Sequence, residues 1–166
     1  MAIRLLLLDV DGIMTDGTKT YDIDHNVISK KYCDLDFTAI RRFIASNVSV
    51  LLVSGDSFNI GMSKKRNIPL VISKDKVKEL PKISKRFEIS YDEIAFVGDD
   101  LFDYEIMMQC GYRFCPNNSP LVLKKICTDV INKHGGDGIV AELYDMCVKR
   151  KWIEPAPLNN ISEWHS

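Results

Sequence analysis

Short aliphatic runs alternate with amphipathic segments along most of this chain. The runs at 4–8, 48–53, 70–72 and 94–97, and weaker ones at 112–114 and 130–131, predict buried β-strands. Between them, apolar residues recur at helical spacing in three stripes: Phe37, Ile40, Phe43 and Ile44; Val77, Leu80, Ile83 and Phe87; and Ile139, Leu143, Met146 and Cys147. The alternation predicts an α/β fold in which a mostly parallel sheet lies between helices.

Local signals refine this prediction. A helix over 100–110 is expected to end at Gly111, and Ser90 with Glu93 predicts a short capped turn. Residues 18–32 alternate polar and apolar positions on both sides of 22–26, which predicts a projecting β-hairpin. Residues 152–166 are expected to be an irregular tail that lies on the surface or reaches a neighbouring subunit. One domain over 1–151 is therefore expected before the tail.

Composition and charge narrow the class of protein. A chain of 166 residues can bury one core without disulfides, and 22 basic against 23 acidic residues offer no basic surface for nucleic acid. The five cysteines form no CxxC pair and no zinc pattern with the histidines, which is typical of free thiols in a reducing compartment. The LLLL run is too short to cross a membrane. We therefore expect a cytoplasmic protein that binds neither nucleic acid nor membranes.

The strongest candidate for chemistry is the pair of aspartates in LLLLDVDG. Asp9 and Asp11 follow the first predicted strand, and residues two apart in an extended chain project to the same side. Ligands of open α/β sheets collect at the carboxyl ends of the strands. One carboxylate can therefore attack a substrate while the other moves a proton.

Three further polar features follow later strands. Ser54 and Gly55 close the strand VSVLLVS and offer a hydroxyl and a small residue to a phosphate oxygen. Lys76 stands at a predicted helix start, where the helix dipole disfavours a structural lysine. The last feature is an acidic cluster after the strand IAFV, comprising Asp99, Asp100 and Asp103.

These residues match the needs of phosphoryl transfer, which are a nucleophile, an acid/base, cations for the phosphate oxygens and oxygen ligands for Mg²⁺. We expect Asp9 to attack phosphorus and form an aspartyl-phosphate. Asp11 is expected to protonate the leaving oxygen and then to activate water. Asp9, the backbone carbonyl of Asp11 and Asp99 are expected to hold Mg²⁺.

The phosphate is assigned to Ser54, Gly55 and Lys76. Asp100 and Asp103 are expected to orient neighbouring groups, including the Lys76 ammonium. Each feature also has an ordinary structural explanation, as a turn, a solvated lysine or a helix cap. The ordered combination is more specific than its parts.

The ordered motifs resemble those of the haloacid dehalogenase superfamily of phosphohydrolases. DVDGI is similar to the first motif, Ser54 to the second, Lys76 to the third and GDDLFD to the fourth. In DVDGIMTDG, KKYCDLD and GGDGIVAEL the chain resembles a small branch without a cap domain. That branch includes the phosphatases of 3-deoxy-D-manno-octulosonate 8-phosphate and of 2-keto-3-deoxy-nonulosonate 9-phosphate.

The resemblance implies a Rossmann-like fold, Mg²⁺ as the cofactor, and a homotetramer whose hairpins contribute to neighbouring active sites. The spacing agrees with the lack of a cap domain, because 12–53 and 77–98 hold only the elements already predicted. An exposed site of this kind must act on a bulky substrate or be closed by another chain.

Two positions bear on the substrate, which the resemblance implies is a phosphorylated 2-keto-3-deoxy sugar acid. The octulosonate enzymes typically carry arginine where this chain has Asp56 and Asp137. A carboxylate there is expected to repel an acidic sugar. The nine-carbon phosphatases resemble the chain better at Asp56, and the choice between eight and nine carbons stays open.

Three other functions also stay open. They are a phosphatase of another small sugar phosphate, a non-catalytic oligomerisation domain like the C-terminal domains of CMP-sialate synthetases, and a phospho-aspartate receiver domain. The intact acidic and basic positions disfavour the oligomerisation domain. A receiver would carry its acceptor aspartate at a later strand end, where this chain has Ser54.

Overall fold

The structure is a computed structural model that describes residues 2–164. Its strands are β1 (Leu5–Asp9), β2 (Thr20–Tyr21), β3 (Val27–Ser29), β4 (Ser49–Ser54), β5 (Leu70–Ile72), β6 (Ile94–Val97), β7 (Tyr112–Pro116) and β8 (Asp129–Ile131). Its α-helices are α1 (Asp34–Ala45), α2 (Ile60–Arg66), α3 (Lys76–Phe87), α4 (Tyr104–Gln109), α5 (Leu121–Ile126) and α6 (Ile139–Lys149).

A six-stranded sheet in the order β5-β4-β1-β6-β7-β8 forms the centre of the molecule. All five of its strand pairs are parallel, so every strand ends at the same edge of the sheet. The predicted α/β class with a mostly parallel sheet between helices is confirmed. Because β1 lies between β4 and β6, the residues after these three strands are neighbours in space.

The apolar run of β1 serves both faces of the sheet. Leu6 and Leu8 pack in the cluster that includes α1 and α6, whereas Leu5 and Leu7 pack in the cluster that includes α3, α4 and α5. A strand covered on both faces needs apolar residues at every position. This explains why the run is continuous and not alternating.

Between β1 and α1 the chain forms the antiparallel pair of β2 and β3. The turn that joins them carries Ile23, which is fully exposed, and Ile28 on β3 is 56% exposed. The end of the second arm runs back toward the sheet, where the Lys30 side chain is completely buried. The hairpin therefore has an exposed apolar tip and a base that is part of the main body.

The C-terminal segment after α6, as far as residue 164, lies on the surface of the same chain and contains a 3-10 turn (Ile161–Glu163). Trp152 contacts the rings of Tyr112 and Phe114, with centroids 5.4 and 5.7 Å away. The Ala156 N–H donates to the Tyr144 hydroxyl at 2.7 Å. In the described part of the chain, no helix has the length and apolar character needed to cross a bilayer.

Some local predictions are wrong in detail. The expected helix over 100–110 is a 3-10 turn (Leu101–Asp103) followed by α4. Gly111 is not a left-handed cap; a Cβ there would lie 2.1 Å from the Asp92 carbonyl oxygen, so close packing requires the glycine. Ile44 was predicted to belong to the apolar stripe of α1, but its side chain is 43% exposed. The short helices α2 and α5 were not predicted, because neither is long enough to show a helical period.

Candidate functional site

The fold brings the four predicted polar features to one edge of the sheet. Asp9 is the last residue of β1, Ser54 the last of β4 and Lys76 the first of α3. Asp99 follows β6, and the Lys76 Nζ lies 3.3 Å from Oδ1 of Asp9. Asp9, Asp11, Lys76 and Asp99 line one open cavity of about 290 Å³. Residues far apart in sequence thus share one pocket, as open α/β sheets place their ligand sites.

Three carboxylates meet at the bottom of this cavity. Asp9, Asp99 and Asp103 each offer an oxygen within 4.8 Å of the others. Burial, with the charges of Asp103 and Asp99, raises the pKa of Asp9 well above its usual range. Burial also raises the pKa of Asp99 to about 6. Several buried carboxylates this close need a shared cation to be ionised together.

Asp103 differs from the other two because both of its oxygens are already bonded. Its Oδ1 accepts from Lys76 at 2.5 Å, and its Oδ2 accepts from the N–H groups of Asp99 and Asp100 at 3.0 and 3.3 Å. Burial would lower the pKa of Lys76, but Asp9 and Asp103 outweigh it and the pKa is raised. Asp103 therefore holds the ammonium and the acidic loop, and Asp9 and Asp99 remain the candidate side-chain ligands for a cation.

The donor set fits a hard divalent cation. Carboxylate oxygens are the ligands that Mg²⁺ and similar ions prefer, and few are needed because water and phosphate complete the shell. Asp9 and Asp99 supply these oxygens from adjacent strand ends, and the like charges between them make a cation favourable.

Glycines allow these loops to approach one another. Gly12 has φ of 84°, and a Cβ there would lie 1.7 Å from Oδ2 of Asp99. A Cβ on Gly135 would lie 1.9 Å from the Gly12 carbonyl oxygen, and the Gly136 N–H donates to the Ile13 carbonyl. The GGDG segment therefore supports the DVDG loop from outside, which gives both sequence signatures a packing role.

Ser54 is oriented by its hydrogen bonds. Its buried Oγ accepts from the Asp56 N–H at 3.0 Å and from Nδ2 of Asn59 at 2.9 Å. A hydroxyl oxygen with two lone pairs occupied can only donate its proton elsewhere. Ser54 stands one residue beyond the strand position paired with Asp9, so a phosphate oxygen held between the two strand ends is a candidate acceptor for that proton.

Asp11 and Asp56 are bound by two lysines of the hairpin that the sequence reasoning missed. The Lys30 ammonium contacts Oδ1 of Asp11 at 2.6 Å and Oδ2 of Asp56 at 2.8 Å. The Lys19 ammonium lies 3.0 Å from Asp56 and 4.0 Å from Asp11. Burial would raise the pKa of Asp56, but Lys30, the Phe58 N–H and Lys19 lower it overall. Nothing in the sequence distinguishes Lys30 from its neighbour Lys31.

The remaining predicted positions are placed less centrally. Asp100 is exposed and accepts from the Leu101 N–H at 2.6 Å; it is Asp103 that bonds Lys76. A Cβ added to Gly55 would meet its nearest atom at 3.5 Å, an ordinary van der Waals distance, so packing within the protein does not require a glycine there. Asp137 is exposed and lines a separate depression.

A wider groove of about 630 Å³ opens beside this cavity and shares two of its lining residues, Lys76 and Phe102. The Phe102 side chain is 90% exposed and Leu101 is 56% exposed. An open apolar rim of this kind is typical of a surface that is covered by a large substrate or another chain.

Comparisons with known proteins agree with this geometry. The sequence family described as haloacid dehalogenase-like hydrolase matches residues 55–143. The 3-deoxy-D-manno-octulosonate 8-phosphate phosphatase of Haemophilus influenzae is 28% identical in an alignment of 153 residues, and the alignment covers 89% of this chain and 83% of that protein.

Solved structures of octulosonate 8-phosphate phosphatases are also similar to this chain. The cobalt-bound deoxy-D-mannose-octulosonate 8-phosphate phosphatase of Haemophilus influenzae superposes with a TM-score of 0.82 at 25% identity, over 89% of this chain and 88% of that one. The 3-deoxy-D-manno-octulosonate 8-phosphate phosphatase of Yersinia pestis gives 0.83 at 25% identity, over 93% and 87%.

Proposed function

Because this chain belongs to the haloacid dehalogenase-like hydrolase family, we propose that it is a Mg²⁺-dependent phosphatase that acts on a phosphorylated 2-keto-3-deoxy sugar acid. The predicted phosphoric monoester hydrolase is confirmed by the family and by the phosphatases that the chain resembles. The observation that carries the proposal is one cavity that contains two aspartates two residues apart, a lysine and a further strand-end aspartate.

The reaction proceeds in two steps on Asp9. Its carboxylate attacks phosphorus, the bond to the sugar oxygen breaks, and Asp11 gives that oxygen a proton. Water then attacks phosphorus, Asp11 takes the proton of the water, and the bond between phosphorus and Asp9 breaks to release inorganic phosphate. Ser54 and Lys76 donate hydrogen bonds to the phosphate oxygens in both steps.

Asp9, Asp99 and the backbone carbonyl of Asp11 would hold the cation. When bound, Mg²⁺ screens the phosphate dianion so that a carboxylate can approach it. The choice of a divalent ion is supported by the contact between buried carboxylates and by the cobalt bound in the Haemophilus influenzae relative.

The substrate class rests on the relatives, which are named as octulosonate 8-phosphate phosphatases. The expected repulsion of an acidic sugar by Asp56 is weakened, because Lys19 and Lys30 neutralise that carboxylate. Asp56 remains a candidate for specificity through Lys19, which lines the cavity. Eight-carbon and nine-carbon sugar acids are both candidate substrates.

A homotetramer is part of the proposal. The exposed apolar hairpin tip around Ile23 and the open apolar rim around Phe102 are surfaces that a second copy of the chain can cover. Sedimentation equilibrium tests this, and a monomer at micromolar concentration contradicts it.

A phosphate-release assay tests the function. The panel contains octulosonate 8-phosphate, nonulosonate 9-phosphates and hexose 6-phosphates, each with and without Mg²⁺. We expect the sugar acids to have the highest kcat/KM and Asp9→Asn to abolish turnover, while the control Asp92→Asn, at an exposed site, keeps it. Preference for hexose phosphates would favour a general sugar phosphatase, and no phosphate release by the wild type would favour the non-catalytic domain.

A further inference from the structure

The base of the hairpin places one completely buried cation in the catalytic network. The side chain of Lys30 is 0% exposed. Its ammonium contacts Oδ1 of Asp11 at 2.6 Å, Oδ2 of Asp56 at 2.8 Å and Oδ1 of Asn59 at 3.1 Å. The contacts with Asp11 and Asn59 are hydrogen bonds, and the contact with Asp56 is an ion pair.

The contact with Asn59 connects Lys30 to Ser54, the candidate phosphate-binding hydroxyl. Lys30 can only donate, so the Asn59 atom that faces it must be the oxygen, and the Tyr32 hydroxyl donates to the same oxygen at 2.8 Å. The amide nitrogen of Asn59 is therefore directed at Oγ of Ser54, where it donates at 2.9 Å. Together with the Asp56 N–H, that bond occupies both lone pairs of Oγ and leaves the Ser54 proton free to be donated elsewhere.

We propose that Lys30 is a positioning residue that aligns the Asp11 carboxylate and the Ser54 hydroxyl together. One ammonium holds the proton-transfer group directly and the phosphate-binding group through Asn59. Because Lys30 lies at the end of a hairpin arm, Asp11 and Ser54 are aligned only when the base of the hairpin packs against the main body. The inference rests on the proposed phosphatase function and adds Lys30 and Asn59, which lie outside its four motifs.

The roles of the two oriented groups predict a pattern that general damage to the fold does not produce. An alkyl phosphate needs a proton on its leaving oxygen, whereas p-nitrophenolate is a good leaving group and depends little on an acid. Loss of the alignment of Asp11 must therefore reduce kcat/KM much more for the sugar phosphate than for p-nitrophenyl phosphate. Misplacement of Ser54 affects both substrates alike.

The experiment compares Lys30→Met with wild type on both substrates, with Lys31→Met as the control at an exposed neighbour. We expect kcat/KM to fall about 100-fold or more on the sugar phosphate, the usual range for lost general acid catalysis. The fall on p-nitrophenyl phosphate is expected to be at least tenfold smaller, and Lys31→Met is expected to match wild type. Equal losses on the two substrates would overturn the proposal.

Removing a buried cation also leaves Asp56 less compensated, so a second variant separates charge balance from alignment. The double variant Lys30→Met with Asp56→Asn removes both charges. We expect its melting temperature to recover toward wild type while the selective loss on the sugar phosphate persists. Recovery of both stability and sugar-phosphate activity would mean that Lys30 only neutralises Asp56. Failure of the phosphatase function itself would appear separately, as an inactive wild type.

Discussion

Replacement of Gly12 by alanine is expected to disable the cation site while leaving every proposed ligand in the sequence. The added Cβ would lie 1.7 Å from Oδ2 of Asp99, whereas non-bonded carbon and oxygen atoms need roughly 3.3 Å or more. The Asp99 carboxylate must therefore move by more than about 1 Å. Gly12 also has φ of 84°, and a left-handed conformation costs alanine about 1 kcal/mol.

Displacement of the Asp99 carboxylate is expected to lower the affinity for Mg²⁺. Mg²⁺ accepts only near-ideal oxygen positions, with distances of about 2.0 to 2.1 Å, so an Asp99 moved this far cannot remain a good ligand. Disturbing the groups that orient metal ligands typically costs about 10 to 100-fold in affinity or activity. We expect the Mg²⁺ concentration for half-maximal activity to rise by about this factor in Gly12→Ala.

The assay is p-nitrophenyl phosphate hydrolysis across a Mg²⁺ titration, paired with calorimetric titration of Mg²⁺ into the protein without substrate. Gly61→Ala is the matched control, because a Cβ there meets nothing within 4 Å. Its position inside α2 predicts a small gain in stability and an unchanged Mg²⁺ requirement. An unchanged Mg²⁺ affinity in Gly12→Ala would refute the assignment of Asp99 as a ligand held by this close contact.

Three further variants test other parts of the structure. Burial raises the pKa of Asp36 to about 6. The free energy of unfolding should therefore fall by up to about 3 kcal/mol as the pH rises from about 4 to about 6, because the folded state disfavours the ionised carboxylate. Asp36→Asn should flatten this fall, which urea denaturation at several pH values measures. Asp103→Asn removes the charge beside Lys76 and should raise KM at least about tenfold, and an unchanged KM would contradict the role of Asp103. Tyr144→Phe leaves the Ala156 N–H without its acceptor and should cost about 1 to 3 kcal/mol of stability with unchanged kcat, as thermal denaturation and kinetics can check.

Much of the site could be predicted because its parts follow strands that the pattern shows clearly. The apolar runs that end at Asp9 and Ser54 are β1 and β4, and parallel strands end at the same edge of a sheet. The positions of Lys76 and Asp99 follow from the same rule. The roles assigned to these residues remain predictions, whereas their convergence is a property of the structure.

The different roles of the acidic residues were harder to predict from the sequence. Asp100 and Asp103 are equivalent candidates in the sequence GDDLFD, but only Asp103 turns inward to Lys76. The 3-10 turn at 101–103, in place of the first turn of a longer helix, determines which carboxylate reaches Lys76. Such a choice depends on local geometry that a periodic pattern does not contain.

The amino-acid order by itself determined the layered α/β architecture and the edge at which the chemistry lies, because burial on both faces of a parallel sheet demands continuous apolar runs. Only the tertiary structure decided that Lys30, and not Lys31, enters the site, and that Gly12 must have no side chain. These outcomes depend on groups that meet across the fold, so the energy that selects them exists only once the hairpin, the sheet edge and the acidic loop are packed together.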